Sequence, residues 1–236
     1  MLIDVAPSCR LRNHPRGEPE TLRQHHLSIA RHVRYATLGE VSDHLRQVWF
    51  VCHPYGQLAH RFLRSFSALD DGSRLIVAPE GLSRYYVDHA ARTVGASWMT
   101  AEDRLTDIAD YVAYLDRLHD VMLRDVDQAS LQLYALGFSQ GAATASRWAA
   151  LGKADLDRLI LWGGLLPPDL DLEAHGGRLR ASRLTLVVGE ADEYMRPTAI
   201  ETTKARLEEA GIPYEDVSFP GGHELNRDVL ARLAAE

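Results

Sequence analysis

The chain has 236 residues, of which 46% are hydrophobic and 25% are charged, as in ordinary globular proteins. This composition excludes collagen-like, disulfide-scaffold and disordered chains, and no run approaches the roughly 18 apolar residues of a membrane span. With 33 acidic and 26 basic residues the net charge is −7, which argues against nucleic acid as a partner because nucleic acid binds basic faces.

The N-terminal segment has the composition of a loose arm. Residues 7–20 carry three prolines, a glycine and several charges, so residues 1–23 are predicted to be irregular within a single domain that spans 1–236. This segment lacks an apolar core of signal-peptide length, and Cys9 and Cys52 are the only cysteines. We therefore expect a cytoplasmic protein without disulfides.

The next segment predicts antiparallel strands. Between about Gln24 and Leu38, short alternations that include β-branched residues occur at 26–29 and 35–38. Alternation of this kind favours two antiparallel strands.

A series of mostly apolar runs then predicts central parallel strands. They end at Gly, at Pro or, once, at His-Pro, and they lie at 48–52, 75–78, 131–136, 159–162 and 184–188. Strands that are apolar on both faces suit a parallel sheet covered by helices. A last short strand is predicted at 217–219.

Helical patterns fill the intervals between these runs. Apolar residues recur every three or four positions over 105–122, with Thr100 and Asp103 as a candidate capping box. Residues 140–151 are rich in alanine, 197–210 begins at a proline and ends before a glycine, and a last helix starts at about Glu224. Strands alternating with helices predict an α/β fold with a mostly parallel, doubly wound sheet. Ligands bind such sheets at the carboxyl ends of the strands.

The strongest motif is Gly137-Phe138-Ser139-Gln140-Gly141, between a predicted strand and a predicted helix. This context is the one that the nucleophile elbow G-x-S-x-G requires, because the turn is so sharp that only glycines fit on either side of the serine. A plain strand-to-helix turn with a capping serine is the other interpretation.

A serine hydroxyl needs a base, and the base needs a group that orients it. Asp192 and His223 each follow a predicted strand, and with Ser139 they stand in the chain order Ser, acid, His. The motif therefore predicts a Ser139-His223-Asp192 triad. Competing acids, which the sequence leaves open, are Glu190 and Glu193 nearby and Asp169 and Asp171 farther away.

Attack of the serine on a carbonyl also requires hydrogen-bond donors that stabilise the developing oxyanion. One candidate is the backbone N–H of Gln140 at the start of a helix. The other lies in the turn His53-Pro54-Tyr55-Gly56 after the first parallel strand. Because proline has no N–H, the amide of Tyr55 is the better candidate there.

These residues resemble the carboxylesterase/phospholipase family of α/β-hydrolases, which includes acyl-protein thioesterases. The resemblance lies in the elbow with its glutamine, in Gly189-Glu190-Ala191-Asp192 and in Gly221-Gly222-His223, and it covers roughly residues 47–236. It implies an α/β-hydrolase fold and cofactor-free hydrolysis of esters or thioesters. In a chain of 236 residues no large cap domain is expected. The chain departs from the family pattern at Pro54, where members usually have glycine.

The substrate pocket is predicted from residues after strand ends. Residues 82–103 form the longest stretch without clear periodicity. They either form a wall of the substrate pocket or hold a long surface loop against the body of the protein. The candidate substrate-binding residues are Trp98, Met99, Leu165, Leu166 and Tyr194.

We therefore expect a serine esterase for short-to-medium acyl chains, with a small-molecule ester as its partner. No motif for a metal or a nucleotide occurs, so no cofactor is expected. An acyl-protein thioesterase or lysophospholipase is the alternative enzyme, and a non-catalytic ligand-binding protein on the same fold is the alternative of another class. A homodimer is left open.

Overall fold

A computed structural model describes residues 23–236 of the chain, as one unit that ends at His32 and another that runs from Val33 to Glu236. Residues 23–32 form no helix or strand, and Leu27 and Ile29 are exposed. The strand expected at 26–29 is therefore wrong, because four alternating residues without a buried face do not form one. Of the loose arm predicted at 1–23, all but Arg23 lies outside the described residues.

The second unit contains nine strands and six α-helices. The strands are β1 (Tyr35–Leu38), β2 (Gln47–Cys52), β3 (Arg74–Pro79), β4 (Ser83–Asp88), β5 (Thr93–Ser97), β6 (Gln132–Phe138), β7 (Arg158–Trp162), β8 (Arg183–Gly189) and β9 (Tyr214–Phe219). The helices are α1 (Ala59–Phe62), α2 (Arg104–Met122), α3 (Gln140–Leu151), α4 (Leu172–Ala181), α5 (Pro197–Glu209) and α6 (Arg227–Ala235), with 3₁₀ turns at Leu63–Leu69 and Gln128–Ser130.

Seven of the strands form one sheet in the order β1-β3-β2-β6-β7-β8-β9. Only β1 runs antiparallel to its neighbour, and all other pairs are parallel. In the register of this sheet Cys52 lies opposite Gly137, and Phe138 lies opposite Trp162. The chain therefore leaves β2, β6 and β7 at the same edge, where parallel sheets bind ligands.

Helices cover both faces of the sheet. Along β2, Val48, Phe50 and Cys52 pack into the core beneath α2 to α5, whereas Trp49 and Val51 pack into the core beneath α1 and α6. Successive side chains of a strand point to opposite faces, which is why the central strands are apolar at every position. The predicted α/β-hydrolase fold with a doubly wound sheet is confirmed, and within the described residues no insertion forms a cap domain.

Three local expectations need correction. The loop expected over 82–103 contains an antiparallel hairpin, β4–β5. The capping box of Thr100 and Asp103 does not form, because Asp103 adopts a left-handed backbone (φ 49°) and the Thr100 N–H donates to Asp107 instead. The last helix begins at Arg227 rather than at about residue 224, since the side chain of Asn226 caps it.

None of the helices in residues 23–236 combines the length and apolarity needed to cross a membrane.

Candidate active site

Ser139 sits on the sharp turn between β6 and α3. Its backbone has φ 55° and ψ −117°, a region that non-glycine residues rarely occupy. Its hydroxyl does not cap α3, so the interpretation as a merely capping serine finds no support. Crowding explains both flanking glycines: a Cβ at Gly137 would lie 2.0 Å from the Gly141 carbonyl oxygen, and one at Gly141 would lie 2.0 Å from the Cys52 carbonyl oxygen.

Asp192 and His223 meet across the ends of β8 and β9. The distance between His223 Nδ1 and Asp192 Oδ2 is 2.8 Å, and the other oxygen of Asp192 accepts the Tyr194 N–H at 2.9 Å. The Asp192 side chain is almost fully buried. Because both carboxylate oxygens have partners in a buried setting, this carboxylate holds the imidazole in one orientation.

The two loops that carry this pair are bonded to each other through the backbone. The Ala191 N–H donates to the Gly221 carbonyl at 2.9 Å, and the Glu190 N–H donates to the Phe219 carbonyl at 2.9 Å. These bonds fix the segment that carries Asp192 against the segment that carries His223.

The imidazole of His223 lies beside the elbow. Its ring contacts the rings of Phe138 and Tyr194, each with its centroid 4.7 Å away. The dipeptide Gly163-Gly164 after β7 touches both groups: a Cβ on the first glycine would lie 3.1 Å from the His223 ring, and one on the second would lie 2.5 Å from the Ser139 carbonyl oxygen. Ser139 and His223 thus flank one short segment of chain.

The four competing acids have other surroundings. Asp169 pairs with the guanidinium of Arg147 at 2.8 Å, and Asp171 accepts the Ala174 N–H as the N-cap of α4. Glu190 and Glu193 are exposed. Among the acids that the sequence offered, Asp192 is the one bonded to His223.

The turn after β2 is organised by a buried histidine. The Gly81 N–H donates to His53 Nε2 at 2.9 Å, so the ring proton is on Nδ1, which donates to the Pro54 carbonyl at 2.8 Å. Burial lowers the pKa of His53, which keeps the ring neutral and this pattern intact. The ring therefore holds the segment that presents the amide of Tyr55, whose side chain is exposed.

The far end of this turn is held by Glu80. The Ala59 N–H at the start of α1 donates to its carboxylate at 3.3 Å, and Arg34 and Arg84 pair with it. Burial acts to raise the pKa of Glu80, but the hydrogen bonds from the two arginines outweigh it and the pKa is lowered. A charged Glu80 thus anchors the turn at neutral pH.

The side chain of Gln140 has a function that the sequence did not indicate. Its amide nitrogen donates to the Met99 carbonyl at 2.9 Å, and its oxygen accepts the Trp98 N–H at 3.2 Å. The residue whose backbone N–H is a candidate oxyanion donor is therefore tied to the end of the β4–β5 hairpin. The feature of the sequence that could have indicated these contacts is the size of the Gln140 side chain, which is much larger than the turn requires.

A pocket of about 600 Å³ opens beside Ser139. Among the predicted substrate-binding residues, Met99, Leu165 and Leu166 line it. Tyr194 does not line it but covers the His223 ring. The sequence did not indicate the remaining lining residues, which are Ala143, Thr144, Arg147, Pro167, Pro168, Ala199, Thr202, Thr203 and Arg206.

Trp98 lies behind this pocket rather than on its surface. Its ring is buried and stacks on His53 at a centroid distance of 4.9 Å, and its Nε1–H donates to the His53 carbonyl at 2.9 Å. Chain order could not reveal this, because the backbone of a strand end can aim a ring either at the ligand or into the core. The wall function predicted for Trp98 is replaced by support of the turn after β2.

Replacing Trp98 by Phe removes this donor and leaves the His53 carbonyl short of a buried partner. We expect the free energy of unfolding to fall by about 1–2 kcal/mol. Chemical denaturation of the variant and the wild type measures this change. Unchanged stability would contradict the supporting contact between Trp98 and the turn after β2.

In the part of the chain that the structure describes, no three His, Cys, Asp or Glu side chains cluster as metal ligands do.

Comparisons with known proteins agree with this architecture. The sequence matches no protein-family model, and it matches no curated protein. Solved structures match across most of the chain: acyl-protein thioesterase 2 of Zea mays is 17% identical over 86% of this chain and 97% of its own, with a TM-score of 0.66. Esterase PE8 is 23% identical over 86% and 96% (TM-score 0.61), and the Bacillus cereus carboxylesterase is 14% identical over 86% and 92% (TM-score 0.64).

These structures belong to the group that the sequence resemblance indicated. At such identities they establish a shared fold, and the chain has the α/β-hydrolase fold.

Proposed function

We propose that this protein is a serine hydrolase that cleaves carboxylic esters with short-to-medium acyl chains. The observation that carries this proposal is the 2.8 Å contact between His223 Nδ1 and Asp192 Oδ2 beside the strained elbow of Ser139. Strain at a non-glycine residue persists where the surrounding structure enforces it, and such residues cluster at active sites. Solved structures of this fold are named as esterases, which supports the same reaction class.

In the first half of the reaction the Ser139 oxygen attacks the acyl carbon, and His223 Nε2 takes the hydroxyl proton. The carbonyl electrons move to the oxygen, where the amides of Tyr55 and Gln140 are the proposed donors. When the intermediate collapses, the C–O bond to the alcohol breaks and His223 returns its proton to the leaving oxygen. Asp192 stabilises the imidazolium between these two events.

In the second half a water molecule gives its proton to His223 and attacks the acyl-enzyme. The ester bond to Ser139 breaks, the serine oxygen takes the proton back, and the carboxylic acid leaves. Every proton passes through one imidazole, so the reaction needs no cofactor.

The pocket supports the proposed chain length. It is mostly apolar near Ser139, with Ala143, Leu165 and Leu166 in its wall. Apolar walls with few polar groups are typical of small-molecule sites, and a volume of about 600 Å³ leaves room for a short-to-medium acyl group.

Active-site labelling tests the proposal. We expect a fluorophosphonate probe to label the wild type at one site per chain and the Ser139→Ala variant not at all. Ser146→Ala is the control, because this serine within α3 is buried and donates to the Ala142 carbonyl. A folded wild type that never labels would favour the non-catalytic binding protein.

Substrate comparison separates the two hydrolase classes. We measure turnover of p-nitrophenyl esters, acyl thioesters and a lysophospholipid under the same conditions. Esters are expected to be cleaved fastest, and thioesters or lysolipid turned over faster than all esters would assign the alternative activity.

A further inference from the structure

The pocket beside Ser139 is a groove between matching faces of two helices. From α3 it is lined by Gln140, Ala143, Thr144 and Arg147, and from α5 by Ala199, Thr202, Thr203 and Arg206. Both sets have the spacing i, i+3, i+4, i+7, which is one face of a helix. Both helices cover the same face of the sheet, and each contributes an arginine at its last lining position.

The polarity of the groove changes along its length. Gln140, next to Ser139, begins the stripe on α3, small residues follow, and Arg147 ends it seven residues later, about 10 Å along the helix axis. An acyl chain that enters from Ser139 therefore passes apolar walls before it meets guanidinium groups. Long side chains on helices lean toward the N-terminus, so the charged groups lie nearer to Ser139 than this rise alone implies.

The arginine end of the groove carries more positive than negative charge. Arg147 is buried and donates to Asp169 at 2.8 Å, but the same carboxylate also pairs with Arg104. Arg206 donates to the carbonyls of Pro167 at 3.0 Å and Leu170 at 2.8 Å, which places its guanidinium against the loop that lines the groove.

Two carboxylates lie near Arg206 without pairing with it directly. Glu173 and Glu209 line an adjacent hollow with Arg206 and Arg180, yet no salt bridge joins either of them to Arg206 within the described residues. Asp169 thus pairs with two guanidiniums, those of Arg104 and Arg147, whereas Arg206 donates to backbone carbonyls and forms no salt bridge within the described residues.

We propose that the groove selects acyl groups that end in a carboxylate, so that the preferred substrates are monoesters of dicarboxylic acids. This specificity rests on the proposed function of Ser139. The carbonyls of Pro167 and Leu170 accept from only some of the N–H groups of the Arg206 guanidinium. An arginine can donate two parallel hydrogen bonds to a carboxylate. A methyl-ended chain of equal length would leave these donors without an acceptor.

A matched pair of substrates measures the specificity. The p-nitrophenyl monoester of adipic acid and p-nitrophenyl hexanoate have equal chain lengths and differ at the terminal group. We expect the wild type to have a kcat/KM about tenfold higher for the adipate monoester, the gain of about one charge-assisted hydrogen bond. The suberate and octanoate esters repeat the comparison with a longer chain.

Variants of Arg206 test whether this residue causes the preference for carboxylate-ended acyl groups. Arg206→Gln is expected to lower the adipate-to-hexanoate ratio about tenfold, whereas Arg206→Lys keeps the charge and retains part of the ratio. Arg178→Gln is the control of equal charge change, because Arg178 pairs with Asp155 before β7, away from the groove. A general distortion by Arg206→Gln would lower both rates equally and leave the ratio unchanged, which would overturn the proposal.

The outcomes separate this proposal from the one it rests on. A wild type that labels with fluorophosphonate and prefers hexanoate, or does not discriminate, overturns the carboxylate specificity alone. A wild type that neither labels nor cleaves any of the four esters overturns both proposals.

Discussion

Replacing Asp192 by Asn is expected to lower kcat by about 10⁴-fold, as the same change does in other Ser-His-Asp sites. The Tyr194 N–H donates to one oxygen of Asp192, so the asparagine oxygen stays there and its NH₂ group faces His223 Nδ1. The amide then donates where the carboxylate accepted. This places the imidazole proton on Nε2, and the ring cannot take the proton of Ser139.

Steady-state kinetics with a short p-nitrophenyl ester measure this loss, and circular dichroism verifies the fold. Glu193→Gln is the matched control, because Glu193 is the next residue but is exposed. Its kcat should remain that of the wild type. Full activity in Asp192→Asn together with a large loss in Glu193→Gln would reassign the orienting acid.

Replacing Gly141 by Ala is expected to lower the free energy of unfolding by about 3 kcal/mol or more. The new Cβ would lie 2.0 Å from the Cys52 carbonyl oxygen and 2.9 Å from that of His53. Both obstacles are backbone atoms at the end of a central strand, so no side-chain rotation relieves the clash. Since His53 is the first residue of the proposed oxyanion turn, activity should fall with stability.

The control is Gly177→Ala in the middle of α4, where nothing lies within 4 Å of the added Cβ. There the higher helix propensity of alanine should raise stability by up to about 1 kcal/mol. Chemical denaturation compares the two variants. Equal stability changes at the two positions would contradict the close approach of α3 to β2.

The sequence predicted the central sheet because its strands are buried on both faces. Val48 to Cys52 alternate between the two cores, so every position is apolar and the run stands out. Strand β1 was also predicted, but the strand expected just before it was wrong. Alternation over four residues carries little information without a partner strand.

Elements with weaker patterns were missed for physical reasons. The β4–β5 hairpin is mostly exposed along β4, and β5 contains Gly95, where a Cβ would lie 2.3 Å from the Gly56 carbonyl oxygen. The helix α4 carries two glycines and several charges, and it buries only Leu172, Gly176 and Leu179. Neither segment has the periodicity on which sequence interpretation depends.

For the candidate site, chain order predicted which residues approach one another but not what every side chain contacts. Asp192 and His223 meet because they follow neighbouring parallel strands. The arginine end of the groove could not be predicted in this way. Arg147 and Arg206 lie on helices 59 positions apart in the sequence, and only the three-dimensional arrangement shows that their stripes share one pocket.

The hydrogen bonds made by the Gln140 side chain have a consequence for exchanging segments between proteins of this fold. They connect the residue after the nucleophile to Trp98 and Met99 at the end of the hairpin. A hairpin grafted from another protein of this fold must offer a carbonyl and an N–H at the same two places, or the start of α3 will be displaced. The β4–β5 hairpin and the nucleophile elbow must therefore be exchanged together, although 40 residues separate them in the chain.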